Sequence, residues 1–113
     1  MSALTLNDSA IPAPELEQLR GAGVHGIRLD AHRAAASFEL CRTDHGREQS
    51  TTLVLAGVQY SRFEFDEVEE HEVVELVSIE AEHCVLGLRL FGELSNGTFE
   101  FVCSSVRTEP ETR

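Results

Sequence analysis

Apolar and polar residues alternate with a period of two along most of the chain from Val24 onward. Such alternation is typical of strands that bury one face and expose the other. The pattern predicts about seven strands with short connections, at residues 24–29, 34–41, 51–57, 59–65, 73–80, 86–94 and 99–106. We therefore predict a mainly β (α+β) fold, an antiparallel meander or open sandwich with one short N-terminal helix.

Turn-forming residues separate the predicted strands. Residues 30–33 and 43–46 are predicted turns, the second of them containing Asp-His-Gly. Gly57 interrupts the alternation. Tyr60 lies at an even-numbered position and Phe63 at an odd-numbered one, so in a regular strand they would face opposite sides. A bulge or bend near Gly57 lets both fit the pattern. Residues 73–80 carry apolar side chains on both parities, which favours a more central position in a sheet.

The last two predicted strands form a hairpin around an Asn-Gly dipeptide, which tolerates the positive φ angles of a type I′ turn. With Asn96 and Gly97 as the two loop residues, the predicted register pairs Leu94 with Phe99, Gly92 with Phe101 and Glu93 with Glu100. In this register an aromatic ring covers the glycine. The Glu–Glu pair is mildly unfavourable unless it is exposed or a cation lies nearby.

The ends of the chain lack this alternation. Pro14, followed by Glu15 and Glu17, predicts a short helix over residues 14–20. Residues 1–13 are predicted to form a flexible arm and residues 107–113 a flexible tail. At 113 residues, the whole chain is predicted to be one domain.

Charge is the most distinctive feature of the composition. The formal net charge is −11, and residues 63–113 hold thirteen acids against three arginines. This balance disfavours binding to nucleic acid, which needs concentrated Arg and Lys. The sequence has neither an apolar stretch long enough for a membrane span nor a secretory signal, so we expect a cytoplasmic protein.

An acidic run between residues 64 and 75 is the strongest candidate for binding. It contains seven acids in twelve residues: Glu64, Asp66, Glu67, Glu69, Glu70, Glu72 and Glu75. An Arg- or Lys-rich surface of a partner protein would be steered towards such a run. The alternative is a solubilising loop that discourages edge-to-edge pairing of strands.

No motif for catalysis or for a cofactor is present in the sequence. The five histidines and three cysteines lack the spacing of a metal site, and Gly-x-Ser-x-Gly and phosphate-binding glycine loops are absent. Cys41, Cys84 and Cys103 are odd in number and widely spaced, which predicts reduced, buried thiols. We therefore expect a protein that is not an enzyme and that holds no cofactor or metal.

Part of the chain resembles a group of small bacterial β-rich proteins that includes uncharacterised proteins and immunity proteins of polymorphic toxin systems. The resemblance covers residues 24–80 and rests on Gly-Ile-Arg-Leu (26–29), Ala-Ser-Phe-Glu-Leu (36–40), Leu-Val-Leu-Ala-Gly-Val (53–58), Arg-Phe-Glu-Phe (62–65) and the apolar segment 73–79. It implies a chain that binds and neutralises a partner protein, and it carries over no catalytic residue.

Three hypotheses follow for the function. The leading one is a protein-binding domain, an immunity protein whose acidic surface covers a basic toxin. The second is a small-ligand domain or small enzyme with a pocket between sheet and helix, lined by His25, Tyr60, Arg62 or Arg89. The third is a homodimer joined through residues 73–80 or through a face containing Phe91 and Val102.

Overall fold

The computed structural model describes residues 16–69 and 72–110. Within them, eight antiparallel strands form two four-stranded sheets. The strands are β1 (Gly23–Asp30), β2 (Ala35–Asp44), β3 (Arg47–Ala56), β4 (Tyr60–Phe65), β5 (Leu76–Cys84), β6 (Gly87–Leu94), β7 (Gly97–Cys103) and β8 (Ser105–Pro110). Sheet 1 has the order β1-β2-β3-β8 and sheet 2 the order β4-β7-β6-β5. The predicted mainly β class is confirmed.

The inner faces of the two sheets meet in one hydrophobic core. Phe38 of β2 is fully buried, and its ring centroid lies 5.0 Å from that of Phe99 and 5.6 Å from that of Phe101, both on β7. Leu53 and Leu55 of β3 are also fully buried. These side chains occupy alternate strand positions, so the same period-two pattern that predicts the strands also selects the core. A search of the described residues finds no helix with the length and apolar character of a membrane span.

Two chain segments cross side by side between the sheets, one from sheet 1 to sheet 2 and the other from sheet 2 to sheet 1. Gly57 follows β3, and Ser104 separates β7 from β8. The Ser104 N–H donates to the carbonyl of Ala56 at 2.8 Å, and the Gln59 N–H donates to the carbonyl of Val102 at 2.8 Å. Gly57 has a φ of 65°, and a Cβ there would lie 2.2 Å from Ser104 Oγ, so the crossing requires glycine. The bend predicted at this position is confirmed.

The last predicted strand, residues 99–106, is wrong as a single element. The chain bends at Ser104 and changes sheets, so β7 pairs with β4 and β6 whereas β8 pairs with β3. This division raises the number of strands among the described residues from the predicted seven to eight. Residues 107–110, predicted as part of a flexible tail, belong to β8, and residues 111–113 lie outside the described part of the chain.

The final hairpin forms, but not with the predicted turn. Ser95 and Asn96 are the loop residues, because Leu94 pairs directly with Gly97. Neither Asn96 nor Gly97 has a positive φ, so the predicted type I′ turn is wrong. Gly97 is instead required by packing, since a Cβ there would lie 1.9 Å from the carbonyl oxygen of Glu64. Strand β4 therefore approaches the hairpin too closely for any side chain at this position.

The loop has two residues, as predicted, but begins one residue earlier, and this displacement changes the register of the hairpin by two residues. Side chains keep their predicted faces, because the side-chain period of a strand is also two. Gly92 now faces Phe99 rather than Phe101, so a different aromatic ring covers the glycine. Glu93 faces Thr98, and the predicted like-charge pair between Glu93 and Glu100 does not form.

The predicted central position of residues 73–80 is also wrong. The strand begins at Leu76 and forms one end of sheet 2. Val73 and Val77 are 70% and 47% exposed, whereas Ile79, at the same parity, is buried. The register shift between Leu76 and Ser78 turns Ile79 to the core. A β-bridge between Gly23 and Glu75 joins this end of sheet 2 to β1 of sheet 1, and the Val24 N–H beside it donates to the Val74 carbonyl at 2.7 Å.

The N-terminal helix predicted for residues 14–20 is not confirmed. Residues 1–15, including the predicted arm, lie outside the described part of the chain. From Leu16 onward, the backbone N–H groups of Leu19, Arg20 and Ala22 each donate to the carbonyl three residues earlier, which is the pattern of tight turns. Leu16 and Leu19 are buried in the core, so this segment covers one end of it.

Candidate functional site

The acidic run crosses one end of sheet 2. It joins β4 to β5, which form the two opposite edges of this sheet. On the way it contacts the hairpin turn between β6 and β7: the Asp66 N–H donates to the Asn96 carbonyl at 2.7 Å, and Asn96 Nδ2 donates to the Asp66 carbonyl at 3.0 Å. At the other end, the Glu75 N–H donates to Ser95 Oγ at 2.9 Å, and the Ser95 N–H donates to the Glu75 carbonyl at 2.8 Å. One two-residue turn thus holds both ends of the run.

The acids of the run that the structure describes are all exposed: Glu64, Asp66, Glu67, Glu69, Glu72 and Glu75. Glu70 lies outside the described residues. Glu64 pairs with Arg62 at 2.9 Å, and this hydrogen bond and charge raise the pKa of the Arg62 guanidinium. Between the two ends, the Glu72 N–H donates to the Glu69 carbonyl at 2.9 Å. The carboxylates are therefore presented on backbone that is hydrogen-bonded at both ends and in the middle.

The outer face of sheet 2 carries further acids that were not predicted as site residues from the sequence. Strand pairing places Glu80, Glu82, Glu93 and Glu100 on this face with Glu64, against two arginines, Arg62 and Arg89. Five glutamates against two arginines leave a charge of −3 on these positions. The sequence signal that could have revealed these acids is the alternation of polar and apolar residues along β5, β6 and β7, which places the polar side chains on one face.

Arg89 is the centre of the ion pairs on this face. Its Nε donates to Glu100 Oε2 at 2.6 Å, and its Nη1 donates to Glu82 Oε1 at 2.9 Å. Its guanidinium carbon lies 4.2 Å from the ring centroid of Phe91, a distance typical of a cation–π contact. The hydrogen bonds to the two carboxylates raise the pKa of Arg89. Arg89 thus holds two glutamates in place and neutralises part of the acidic face.

The residues of the ligand-pocket hypothesis are divided between the two sheets. Arg62 and Arg89 line one open groove of about 380 Å³ on the outer face of sheet 2. His25 lies on β1 in sheet 1 and lines a different depression. Tyr60 is 45% exposed at the start of β4. The structure therefore does not bring the four side chains into one cavity between sheet and helix.

A smaller depression of about 240 Å³ lies between sheet 1 and the N-terminal turns. Arg42 of β2 borders it, and its guanidinium donates to the carbonyls of Gln18 and, at 2.7 Å, Arg20. This arginine fixes the turn segment to sheet 1. Within residues 16–69 and 72–110, no group of three or more His, Cys, Asp and Glu side chains is arranged to hold a metal ion.

The three cysteines differ in exposure, which corrects the prediction that all are buried. Cys103 is fully buried, Cys41 is partly buried and Cys84 is exposed. Cys84 ends β5 beside the exposed Val85–Leu86 turn, where no second layer covers it. Burial raises the pKa of the Cys103 thiol from 9.0 to about 11, and charge on the nearby Cys84 adds to this shift.

This difference predicts selective thiol chemistry. At pH 8 we expect a soluble disulfide reagent to modify Cys84 in the native protein and Cys103 only after unfolding. Because the unfolded chain releases the Cys103 proton at lower pH than the folded chain, the free energy of unfolding is expected to fall as the pH rises from 9 to 11. Mass spectrometry of the labelled peptides, together with urea unfolding at each pH, checks both results. Equal labelling of the two thiols in native protein would contradict the burial of Cys103.

The site is thus a fixed, solvent-exposed acidic surface with a partly neutralised acidic face beside it. Comparison with known proteins adds no further assignment: no family model, no curated protein and no solved structure matches this chain.

Proposed function

We propose that this chain is a non-enzymatic protein-binding domain that binds a basic protein through its acidic run. The observation that carries the proposal is the fixed presentation of the carboxylates. The hairpin turn at Ser95 and Asn96 holds both ends of the run, and every described acid in it is exposed. Among those described, Asp66, Glu67, Glu72 and Glu75 form no ion pair with the described part of the chain.

Electrostatics gives such a surface a specific role in recognition. Clustered charges of one sign raise the rate at which an oppositely charged partner finds the surface, by roughly 10- to 1000-fold at low ionic strength. Because the backbone of the run is already hydrogen-bonded, binding orders few additional groups. The outer face of sheet 2, which carries Glu80 and Glu93 together with Glu64 of the run, extends the same negative surface.

The finer form of the proposal is an immunity protein that covers a basic toxin in the cytoplasm. Two features of the chain support it. Residues 24–80 resemble the small β-rich group that includes such proteins, and the acidic run, residues 64–75, lies within this range. A chain that inhibits by covering a surface needs complementary charge rather than a catalytic group.

Charge reversal in the run tests the proposal. In the triple variant Glu67→Arg, Glu69→Arg and Glu72→Arg, we expect the association rate with the basic partner to fall by about tenfold or more at low salt. The partner is first captured from a lysate of the native organism and identified by mass spectrometry. Its association is then measured by stopped flow at several salt concentrations. Wild-type binding is expected to slow with added salt, and the variant is expected to lose most of this dependence.

A matched control separates local from overall charge. The triple variant Glu17→Arg, Glu48→Arg and Glu109→Arg changes the net charge equally on exposed positions outside the run and outside sheet 2. We expect it to retain most of the association rate. Equal loss in both variants would attribute binding to net charge, and an unchanged rate in the first would remove the run from the interface. For the immunity function, the wild type but not the run variant should restore growth of cells that express the partner.

A further inference from the structure

Strand β4 presents an open edge of sheet 2. Within the described residues it pairs only with β7, and it ends the strand order. The backbone N–H and C=O groups of successive residues in a strand point alternately towards one neighbouring strand and away from it. The Asp66 N–H points towards the hairpin, because it donates to the Asn96 carbonyl. The backbone groups of Arg62 and Glu64 therefore point to β7. Those of residues 61, 63 and 65 point away from the sheet and are available to another strand.

The aromatic core of the protein continues to this edge. The ring of Phe101 lies 5.3 Å from that of Phe63, and the ring of Phe63 lies 5.2 Å from that of Phe65. Phe101 is fully buried, Phe63 is partly buried and Phe65 is 50% exposed. A row of rings that starts in the core thus ends uncovered at the open side of β4.

Charge selects one register for an antiparallel second copy of β4. The backbone N–H and C=O groups that point outward belong to residues 61, 63 and 65. In a symmetric antiparallel pair the two-fold axis passes one residue, which then pairs with itself. The outward groups of the two copies meet when this residue is 62, 63 or 64. Centring on 62 places Arg62 opposite Arg62, and centring on 64 places Glu64 opposite Glu64, both of which are repulsive. Centring on Phe63 places Arg62 opposite Glu64 of the second copy, and Glu64 opposite Arg62 of the second copy.

The favoured register also satisfies the backbone. Residue 63 would pair with residue 63 of the second copy, and residue 61 with residue 65, so every outward group of the strand gains a partner. The two Arg–Glu pairs fall at the closer, non-hydrogen-bonded positions, where opposite charges interact best. The phenylalanine rows of the two copies would then meet on the inner face. Such an interface relates the two copies by a two-fold axis and forms a closed dimer, which is the commonest oligomer symmetry.

We propose that two copies of this chain form a symmetric dimer by antiparallel pairing of their β4 strands, with Phe63 at the two-fold axis. The proposal rests on the edge of sheet 2 and shares only Glu64 with the acidic run. It replaces the dimer faces considered from the sequence, residues 73–80 and the Phe91–Val102 face.

Strand β8, an end strand of sheet 1, provides an internal comparison. Strand β8 carries the same Arg-x-Glu pattern, with Arg107 and Glu109 paired at 2.7 Å. It ends at Pro110, which has no N–H to donate, and its apolar Val106 is already buried. Strand β8 therefore offers the same charges without the exposed aromatic row.

Charge exchange at β4 tests the dimer directly. Sedimentation equilibrium of the full chain is expected to give a dimer for the wild type. Arg62→Glu alone and Glu64→Arg alone are each expected to raise the dissociation constant by about tenfold or more, because each converts two attractive pairs into two repulsive pairs. An equimolar mixture of the two variants restores both attractive pairs and should return to the dimer. The double variant Arg62→Glu, Glu64→Arg should dimerise with itself.

The controls are Arg107→Glu and Glu109→Arg, which make the same changes on β8 and should leave the dimer intact. A wild type that remains monomeric at all concentrations overturns the proposal. A dimer that persists in both β4 single variants, or a mixture that stays monomeric, assigns the interface elsewhere and overturns it equally. The stopped-flow assay of the basic partner reads the acidic run separately, so failure of one proposal leaves the other standing.

Discussion

Replacing Phe38 by alanine is expected to lower the free energy of unfolding by about 3–5 kcal/mol, the usual cost of deleting a buried phenyl ring. Phe38 is fully buried, and its ring contacts Phe99 and Phe101 across the space between the two sheets. The substitution removes apolar area and leaves a cavity that two hydrogen-bonded sheets cannot readily close. Urea denaturation, followed by circular dichroism, measures the change.

Phe65→Ala is the matched control. This ring is 50% exposed at the edge of β4, so the same deletion removes much less buried area. We expect a loss below about 1 kcal/mol in the monomer. A loss at Phe38 no larger than that at Phe65 would contradict the central place of Phe38 between the sheets. The comparison is made at low protein concentration, so that dimerisation does not contribute.

Gly97→Ala is expected to destabilise the fold by about 3 kcal/mol, at the upper end of the usual cost of overpacking. A Cβ at this position would lie 1.9 Å from the Glu64 carbonyl oxygen and 2.9 Å from the Phe65 Cα. Both are backbone atoms, so no rotation of a side chain relieves the collision. Strand β4 must move away from the hairpin, which also displaces the start of the acidic run.

Gly26→Ala provides the control for the glycine substitution. Gly26 also lies in a strand, and the nearest atom to an added Cβ is Glu39 Oε1, at an ordinary contact distance of 3.8 Å. We expect a change in stability of less than about 1 kcal/mol, because the extra methyl group mainly restricts the unfolded chain. Thermal unfolding of both variants separates the collision at Gly97 from the general effect of replacing glycine. Similar melting temperatures would show that β4 does not approach Gly97 as closely as described.

The acidic site illustrates which functional features a sequence reveals. The run was found because its carboxylates are contiguous in the chain, and a dense charge run is exposed in almost any fold. Glu80, Glu93 and Glu100 were not predicted as site residues, since only strand pairing brings them to one face with Arg62. The two bonds of Arg89 to Glu82 and Glu100 depend on the same pairing. Site residues that come from separate strands can be predicted only when the strand order and register are known. Neither follows from the composition of the chain.

Local sequence determined the strands and several of their connections. Alternating side chains selected the core positions, because only one face of each strand can be buried. Asp30 accepts hydrogen bonds from the N–H groups of His32 and Arg33, and His45 and Gly46 both adopt positive φ, so these two turns follow from their own residues. Gly57 marked the bend for the same reason, a backbone conformation that other residues adopt at a cost.

Tertiary structure decided what depends on distant segments. Gly97 has a negative φ and is required by the close approach of β4. Asp66, which follows β4, bonds to Asn96 thirty residues away, so the turn type could not be read from Asn-Gly alone. The division of residues 99–106 at Ser104 follows from the crossing beside Gly57. Strand β5 lies at an edge of sheet 2, and a register shift between Leu76 and Ser78 places apolar residues of both parities, Leu76 and Ile79, in the core. A period of two is a local property of the backbone, whereas strand order and register are set by contacts between segments far apart in the chain.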